Sequence, residues 1–223
     1  MSTNFNTYSK YYDLLYSDKN YSEESKYISR LIRKIRPDAH EILELGSGSG
    51  SHAIFLAEEG FAVSGIERSP EMVAESQTKN IPDFKPIVGD ITDYNLDKKF
   101  DAAISLFHVI SYLTENDDIL KCFRLTNKHL KKRGVFVFDV WYSPAVYSQK
   151  PETRIKRMEN DIIKVTRIAE SAMETNRDVV NVNFQVNIVD KASNKSDIIE
   201  ETHPMRHFSV PEIDLLAKST GFE

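Results

Sequence analysis

Several things are scarce in this chain, and each scarcity narrows what it can be. Among 223 residues there is one cysteine, Cys122, so neither an internal disulfide nor a cysteine-built metal cluster is available. Its setting, Leu120-Lys121-Cys122-Phe123, reads as a buried helix position where the thiol packs rather than reacts. No stretch approaches the ~18 consecutive apolar residues that span a bilayer, and Met1 to Lys10 lacks the apolar run of a signal peptide. The expectation is a cytoplasmic protein with no membrane partner. Basic excess is lacking as well. With 29 Lys and Arg against 34 Asp and Glu the net charge is -5, which gives no broad electrostatic reason to bind nucleic acid. A local basic pocket for a phosphorylated small molecule stays open.

What is present is ordinary in bulk and specific in pattern. The length suits one domain, 1–223, with one inserted element. Glu23 to Ile35 carries Tyr27, Ile28, Leu31, Ile32 and Ile35 at helical spacing, and Pro37 cannot continue it. With the tyrosine-rich stretch before it, this predicts an N-terminal helical cap over 1–36. From Glu41 strands and helices alternate. Strands are predicted at 41–45, 62–66, 85–88, 100–107 and 135–140, with helices at 51–59, 70–79 and 116–130. That rhythm predicts a parallel sheet with helices on both faces over 41–140. The segment 154–208 breaks it with period-two runs such as Val180, Val182, Phe184, Val186 and Ile188. It reads as an inserted antiparallel flap of three strands, followed by a last helix within 209–223.

The strongest motif is Glu44-Leu45-Gly46-Ser47-Gly48-Ser49-Gly50, between the first strand and the next helix. Glycines permit a tight turn and a close ligand, and the helix N-terminus offers free N–H groups. A dinucleotide fingerprint would need its third glycine where Ser51 stands, and no Gly-Lys-Ser/Thr follows to make a P-loop. Glu67, at the end of the second strand, stands where a carboxylate meets ribose hydroxyls.

This combination resembles the class I S-adenosylmethionine-dependent methyltransferases, over Tyr11 to about Glu223. The resemblance implies an α/β Rossmann-like fold with a mainly parallel central sheet. It also implies S-adenosyl-L-methionine as cofactor, no metal, and a small-molecule acceptor. Gly46, Ser47 and Gly48 would lie against the methionine and ribose, Glu44 would help place the amino end, and Glu67, with Arg68 beside it, would bind the ribose. Met72 would lie near the adenine, Asp90 would accept from its amino group, and Ile91 would flank the ring. Leu106 and Phe107 stand at the end of the fourth strand, where methyl group and acceptor usually meet.

Within that class the chain is similar to enzymes that N-methylate amino sugars on nucleotides. The shared pieces are Tyr12-Asp13, Asn20-Tyr21, Gly50-Ser51-His52, Ser111-Tyr112-Leu113 and Trp141-Tyr142-Ser143-Pro144. This closer resemblance implies that Tyr12 and Tyr21 contact the cofactor and that Tyr112 faces the acceptor. Tyr16, Trp141, Tyr142 and His207 are carried with it as acceptor-binding candidates, and a homodimer is compatible with it. An amine needs only to be neutral and aimed, whereas a hydroxyl profits from a general base, for which His108 and Tyr112, with His207 on the flap, are the candidates. A free histidine titrates near pH ~6.5, which suits that work. A structural hydrogen-bonding role for His108 stays open. Lys156, Arg157, Arg167 and Arg177 either meet a diphosphate or form a solvated flap. The family sheet closes with two more strands after the last helix, and here they are expected to be missing. A different metabolite as acceptor, or a non-catalytic module that senses the cofactor, are the competing readings.

Overall fold

The computed structural model describes residues 11 and 14–223, which fall into two compact units. The first comprises Asn20–Val140 and Val210–Glu223. It opens with α1 (Tyr21–Ile35), whose first turn is capped by the Asn20 side chain accepting from the Glu23 N–H. Acidic Glu23 and Glu24 start the helix and basic Arg33 and Lys34 end it, matching the helix dipole. The strands are β1 (Glu41–Leu45), β2 (Ala62–Glu67), β3 (Phe84–Val88), β4 (Phe100–Ser105) and β5 (Leu130–Phe138). They form one wholly parallel sheet in the order β3-β2-β1-β4-β5. Between them run α2 (Ser51–Glu58), α3 (Pro70–Thr78) and α4 (Asn116–His129), and α6 (Val210–Ser219) completes the unit.

Helices cover both faces, which is why the central strands read as continuous apolar runs. All six residues of β4 are buried. On one face Ile42, Val63, Ala102 and Ile104 pack with Ile28 and Ile32 of α1 and Ala53 and Leu56 of α2. On the other, Phe123 of α4 meets Phe136 and Phe138 of β5 edge-on at 5.4 and 5.3 Å between centroids.

Two boundaries differ from the sequence reading. β4 ends at Ser105, so Leu106 and Phe107 lie in the following loop. β5 begins at Leu130 rather than Val135, and its register on β4 shifts from Phe100↔Leu130 to Ala102↔Val135. The extra residues are absorbed by Arg133, with φ +62°. Gly134 signals that turn in the sequence, but an interrupted pairing is invisible to a periodicity count.

The second unit comprises the described residues up to Lys19 and Trp141–Ser209. The second sheet has five strands, four of them within 154–208 where three were expected: β6 (Trp141–Tyr142), β7 (Arg154–Glu159), β8 (Ile163–Glu174), β9 (Val179–Asp190) and β10 (Ser196–Phe208), ordered β6-β10-β9-β8-β7. β7 was missed because Arg-Ile-Lys-Arg-Met-Glu is mostly charged, as suits an edge strand. β6 was missed because two residues carry no period, and it pairs in parallel with β10 while the other pairings are antiparallel. The short α5 (Ser143–Gln149) follows β6. No helix among the described residues is long and apolar enough to cross a membrane.

Buried Asp101 of β4 fastens three elements of the first unit. It accepts from the backbone N–H groups of His40 and Glu41 at 3.2 and 3.0 Å, and it meets Lys131 Nζ at 2.9 Å and Arg36 Nη2 at 2.8 Å. Burial pushes its carboxyl up, but the Glu41 N–H, the Lys131 ammonium and the His40 N–H outweigh that and hold it at about 2. A carboxyl depressed in the folded state stabilises above its unfolded pKa of ~3.9, and the contribution vanishes as pH falls through the folded value. Asp101→Asn should therefore cost about 2 kcal/mol near neutral pH. Urea unfolding at a series of pH values should show the gap from wild type shrinking from pH ~4 toward pH ~2. A gap independent of pH would contradict this account.

Candidate functional site

The strand order makes a topological switch between β1 and β4, because the chain runs outward through β2 and β3 and then returns to the other side. Ligands of open parallel sheets bind beyond the carboxyl ends of the strands at such a switch. Those ends carry the glycine loop after β1 and the stretch Leu106 to Tyr112 after β4.

The loop depends on its glycines at two points. At Gly46, with φ +73°, an added Cβ would fall 2.6 Å from both methyl carbons of Val109. Only glycine lets the turn after β4 pack directly on the loop. Gly48, with φ +53°, has nothing within 4 Å of where a side chain would project, so its backbone borders open space. The N–H groups of Gly46 and Ser47 donate to Ile66 O at 2.8 and 3.1 Å, which ties the loop to β2. The Ser47 hydroxyl is buried without a hydrogen-bond partner among the described residues.

Glu67 faces this loop as expected. Its Oε2 accepts from Gly48 N at 2.9 Å and its Oε1 from Ser69 N at 2.8 Å. Both oxygens are thereby oriented, and each keeps a second lone pair for a ribose hydroxyl. Asp90 is fixed in the same manner, its Oδ1 accepting from Thr92 N at 2.8 Å and Thr92 Oγ1 at 2.7 Å. Burial raises the Asp90 carboxyl, and the two Thr92 hydrogen bonds with the Arg68 charge bring it below its ordinary value. Met72 is buried and Ile91 half-buried.

Glu44 points the other way, toward α1 and α2, with 1% of its surface exposed. Its Oε1 lies 3.6 Å from His52 Nδ1, while His52 Nε2 lies 2.6 Å from Glu24 Oε2. The Tyr21 ring stands edge-on to His52 at 5.0 Å. The sequence reading singled out Glu44 and Tyr21 but not the His52 and Glu24 that adjoin them. His52 stood in the Gly50-Ser51-His52 piece, whereas Glu24 carries no signal beyond a helix start.

After β4, Leu106 is buried in the core against α1 and α2 and so backs the loop. Phe107 and His108 both adopt left-handed backbone, φ +65° and +62°, with rings stacked at 6.1 Å. A helical turn over Val109–Tyr112 follows, and Tyr112 at its end is exposed. His108 is held by Asp139, at the end of β5, which sequence reasoning missed. The His108 N–H donates to Asp139 Oδ1 at 3.0 Å and its Nδ1 lies 2.9 Å from Oδ2. The signal was there: an acid ending an apolar strand, as Glu67 ends β2.

Tyr12 lies outside the described residues. Tyr16, Trp141, Tyr142 and His207 belong to the second unit. The Tyr16 hydroxyl accepts from Arg167 Nη1 at 2.8 Å, and the Lys156 ammonium and Arg167 guanidinium stand 5.6 and 5.5 Å from its ring centroid. Trp141 packs with Ala169, Val180, Val182 and Met205, while Tyr142 is half exposed. His207 is fully buried, with Nδ1 2.9 Å from Ser143 Oγ and the Tyr147 ring edge-on, the surroundings of a packed hydrogen-bonding group.

Residues 42–134 match the protein family described as Methyltransferase domain. The chain is 29% identical over 177 residues to a dTDP-3-amino-3,4,6-trideoxy-alpha-D-glucopyranose N,N-dimethyltransferase of Streptomyces venezuelae, covering 78% of this chain and 74% of that protein. It is 28% identical over 218 residues to YqeM of Bacillus subtilis (strain 168), named only as a methyltransferase, covering 95% of this chain and 83% of that protein. The fold superposes on the crystal structure of Streptomyces venezuelae DesVI with a TM-score of 0.82 at 23% identity, over 99% of this chain and 91% of that one. The chain is an S-adenosylmethionine-dependent methyltransferase, and the open space at Gly48, the oriented Glu67 and the buried Ser47 hydroxyl suit that cofactor.

Glu67→Ala should weaken S-adenosylmethionine binding roughly ten- to hundredfold by calorimetry, the scale of a charged hydrogen bond of about 1.5–3 kcal/mol. Unchanged affinity would mean that Glu67 does not hold the ribose. Gly46→Ala should lose both binding and thermal stability, because its Cβ collides with Val109.

Proposed function

We propose that the acceptor is the amino group of a nucleotide-linked amino sugar. The observation that carries this reading is the aromatic and cationic cluster of the second unit. Arg167 spends one donor on the Tyr16 hydroxyl, its Nε is buried without a hydrogen-bond partner among the described residues, and its guanidinium also lies 4.8 Å from the Phe184 ring. Lys156 is steered beside it by Asp18, with Nζ 2.7 Å from Oδ1. A planar guanidinium with unspent donors next to an ammonium matches a diphosphate better than any other common metabolite group. The relative named for a dTDP-amino sugar supports the same class.

The cofactor brings a methyl group on a cationic sulfur, so the reactivity is its own and the protein provides alignment and desolvation. Glu67 and Asp90 act on the nucleoside end, with Gly46 to Gly48 as the cradle. Tyr112, exposed at the end of its turn, would guide the acceptor. An amine attacks through its own lone pair once neutral, so no strong base is required of these residues.

The test is methyl transfer from S-adenosylmethionine to a panel of dTDP-linked amino sugars and their hydroxyl counterparts, read by product mass. Added mass on the amino sugars alone is expected. Arg167→Ala should raise KM for the accepted nucleotide sugar by about tenfold or more while kcat changes less, in the range of a lost charged hydrogen bond. Binding of S-adenosylmethionine with no transfer to any acceptor would favour a sensing module, and transfer only to acceptors without phosphate would overturn the nucleotide.

A further inference from the structure

The first turn of α1 carries two acids, and they face different ways. Glu23 is exposed and pairs with Lys26, one turn along its own helix, at 3.3 Å. Glu24 is half-buried, and its Oε2 reaches out of the helix to His52 Nε2 at 2.6 Å. The helix dipole alone asks for no such partner, because an acid in the first turn is favourable wherever its side chain points. His52 is itself buried, and its other ring nitrogen lies 3.6 Å from Oε1 of the buried Glu44. One imidazole thus stands between two carboxylates.

These residues bracket the donor loop. Glu44 is the next-to-last residue of β1 and His52 the second residue of α2, so the glycine loop runs between them. The charge of Glu24 also reaches the far side of the topological switch. Burial raises the Asp139 carboxyl, and the hydrogen bonds from the His108 ring and backbone, with the imidazole charge, bring it below its ordinary value, while Glu24 pushes the other way. That push places Glu24 within electrostatic reach of the end of β5, just as its contact with His52 places it at the loop after β1. Even with the His52 and His108 rings both protonated, the three carboxylates of Glu24, Glu44 and Asp139 would leave a net negative charge around the switch.

We propose that Glu24 is a specificity-determining residue for methyl transfer: its carboxylate, held by His52, favours the cationic donor over the spent cofactor. S-adenosylmethionine carries a positive charge on sulfur, and S-adenosylhomocysteine carries none. The two share adenine, ribose and the amino-acid end, so contacts from Glu67, Asp90 and the glycine loop to those parts hold both alike. Selectivity is a difference of affinities, and here the difference lies at the sulfur. A carboxylate acts on that charge without touching it, since Coulomb attraction falls only as the inverse of distance and is strong where water is excluded. A site that held only the shared parts would stay occupied by its own product after each transfer. The negative field of Glu24 opposes that, because the attraction is lost when the sulfur gives up its methyl group.

Calorimetry of the whole protein with S-adenosylmethionine and, separately, with S-adenosylhomocysteine tests this and needs no acceptor. Glu24→Gln keeps the shape and a hydrogen-bonding group toward His52 while removing the charge. Donor affinity should fall about fivefold and product affinity less than about twofold, so that the ratio of the two moves toward the product. Glu24→Asp, which keeps the charge on a shorter stem, should retain the wild-type preference even where both affinities change. Glu23→Gln removes the same charge from the same turn on the side facing Lys26, and should leave the ratio unchanged. Equal weakening of both ligands in Glu24→Gln would show a structural role and overturn the proposal, as would an unchanged ratio. An equal shift of the ratio in Glu23→Gln would assign the effect to overall charge and overturn it as well.

Discussion

The site hangs on one steric fact: there is no room for a carbon atom beyond Cα at Gly46. Because that space is filled by the methyl groups of Val109, the loop after β1 and the turn after β4 are in van der Waals contact. The loop is simultaneously tied to β2 through Ile66 O and to Glu67 through the Gly48 N–H. Three strand ends are thus fastened into one rigid rim. The glycine loop and the turn that carries His108 and Tyr112 are thereby coupled through direct contact. Rigid placement is what in-line transfer asks of a protein, since misplacement by an ångström costs orders of magnitude in rate.

Charge is distributed along that rim with a consistent logic. Glu67 and Asp90 each have an oxygen oriented by local N–H or hydroxyl donors, so in the proposed site they would meet a nucleoside already aimed. Glu44 and Glu24 hold His52 between them, and Asp139 holds His108. In each case a side chain is restrained by a neighbour rather than left to find its partner on binding, which lowers the ordering cost. The strained backbone at Phe107 and His108 is the place where local propensity is overruled.

The parallel core was legible because its signals are local and repeated. Apolar runs such as Ile42 to Leu45 and the buried β4 announce a sheet covered on both faces, and Ser69 with Pro70 announces the start of α3. The glycine loop and the Glu67 that faces it were legible because glycines and strand-end acids have fixed offsets. What escaped were relations between distant residues. Nothing in Arg154–Glu159 says that it pairs with β8, and nothing near His108 says that Asp139, 31 positions later, will clamp it. Glu24 near the start of α1 looks like a helix-dipole residue and also partners His52. The acceptor candidates Trp141 and His207 illustrate the harder limit, because a half-buried aromatic and a fully buried imidazole read alike in sequence and differ only once packing is known.

The central claim is that this rim is built for a sulfonium nucleoside rather than a dinucleotide. Titration calorimetry of the whole protein with S-adenosylmethionine and, separately, with NAD tests it most directly. The account predicts a saturable one-site isotherm with S-adenosylmethionine and no heat of binding with NAD. Tight NAD binding without S-adenosylmethionine binding would contradict it.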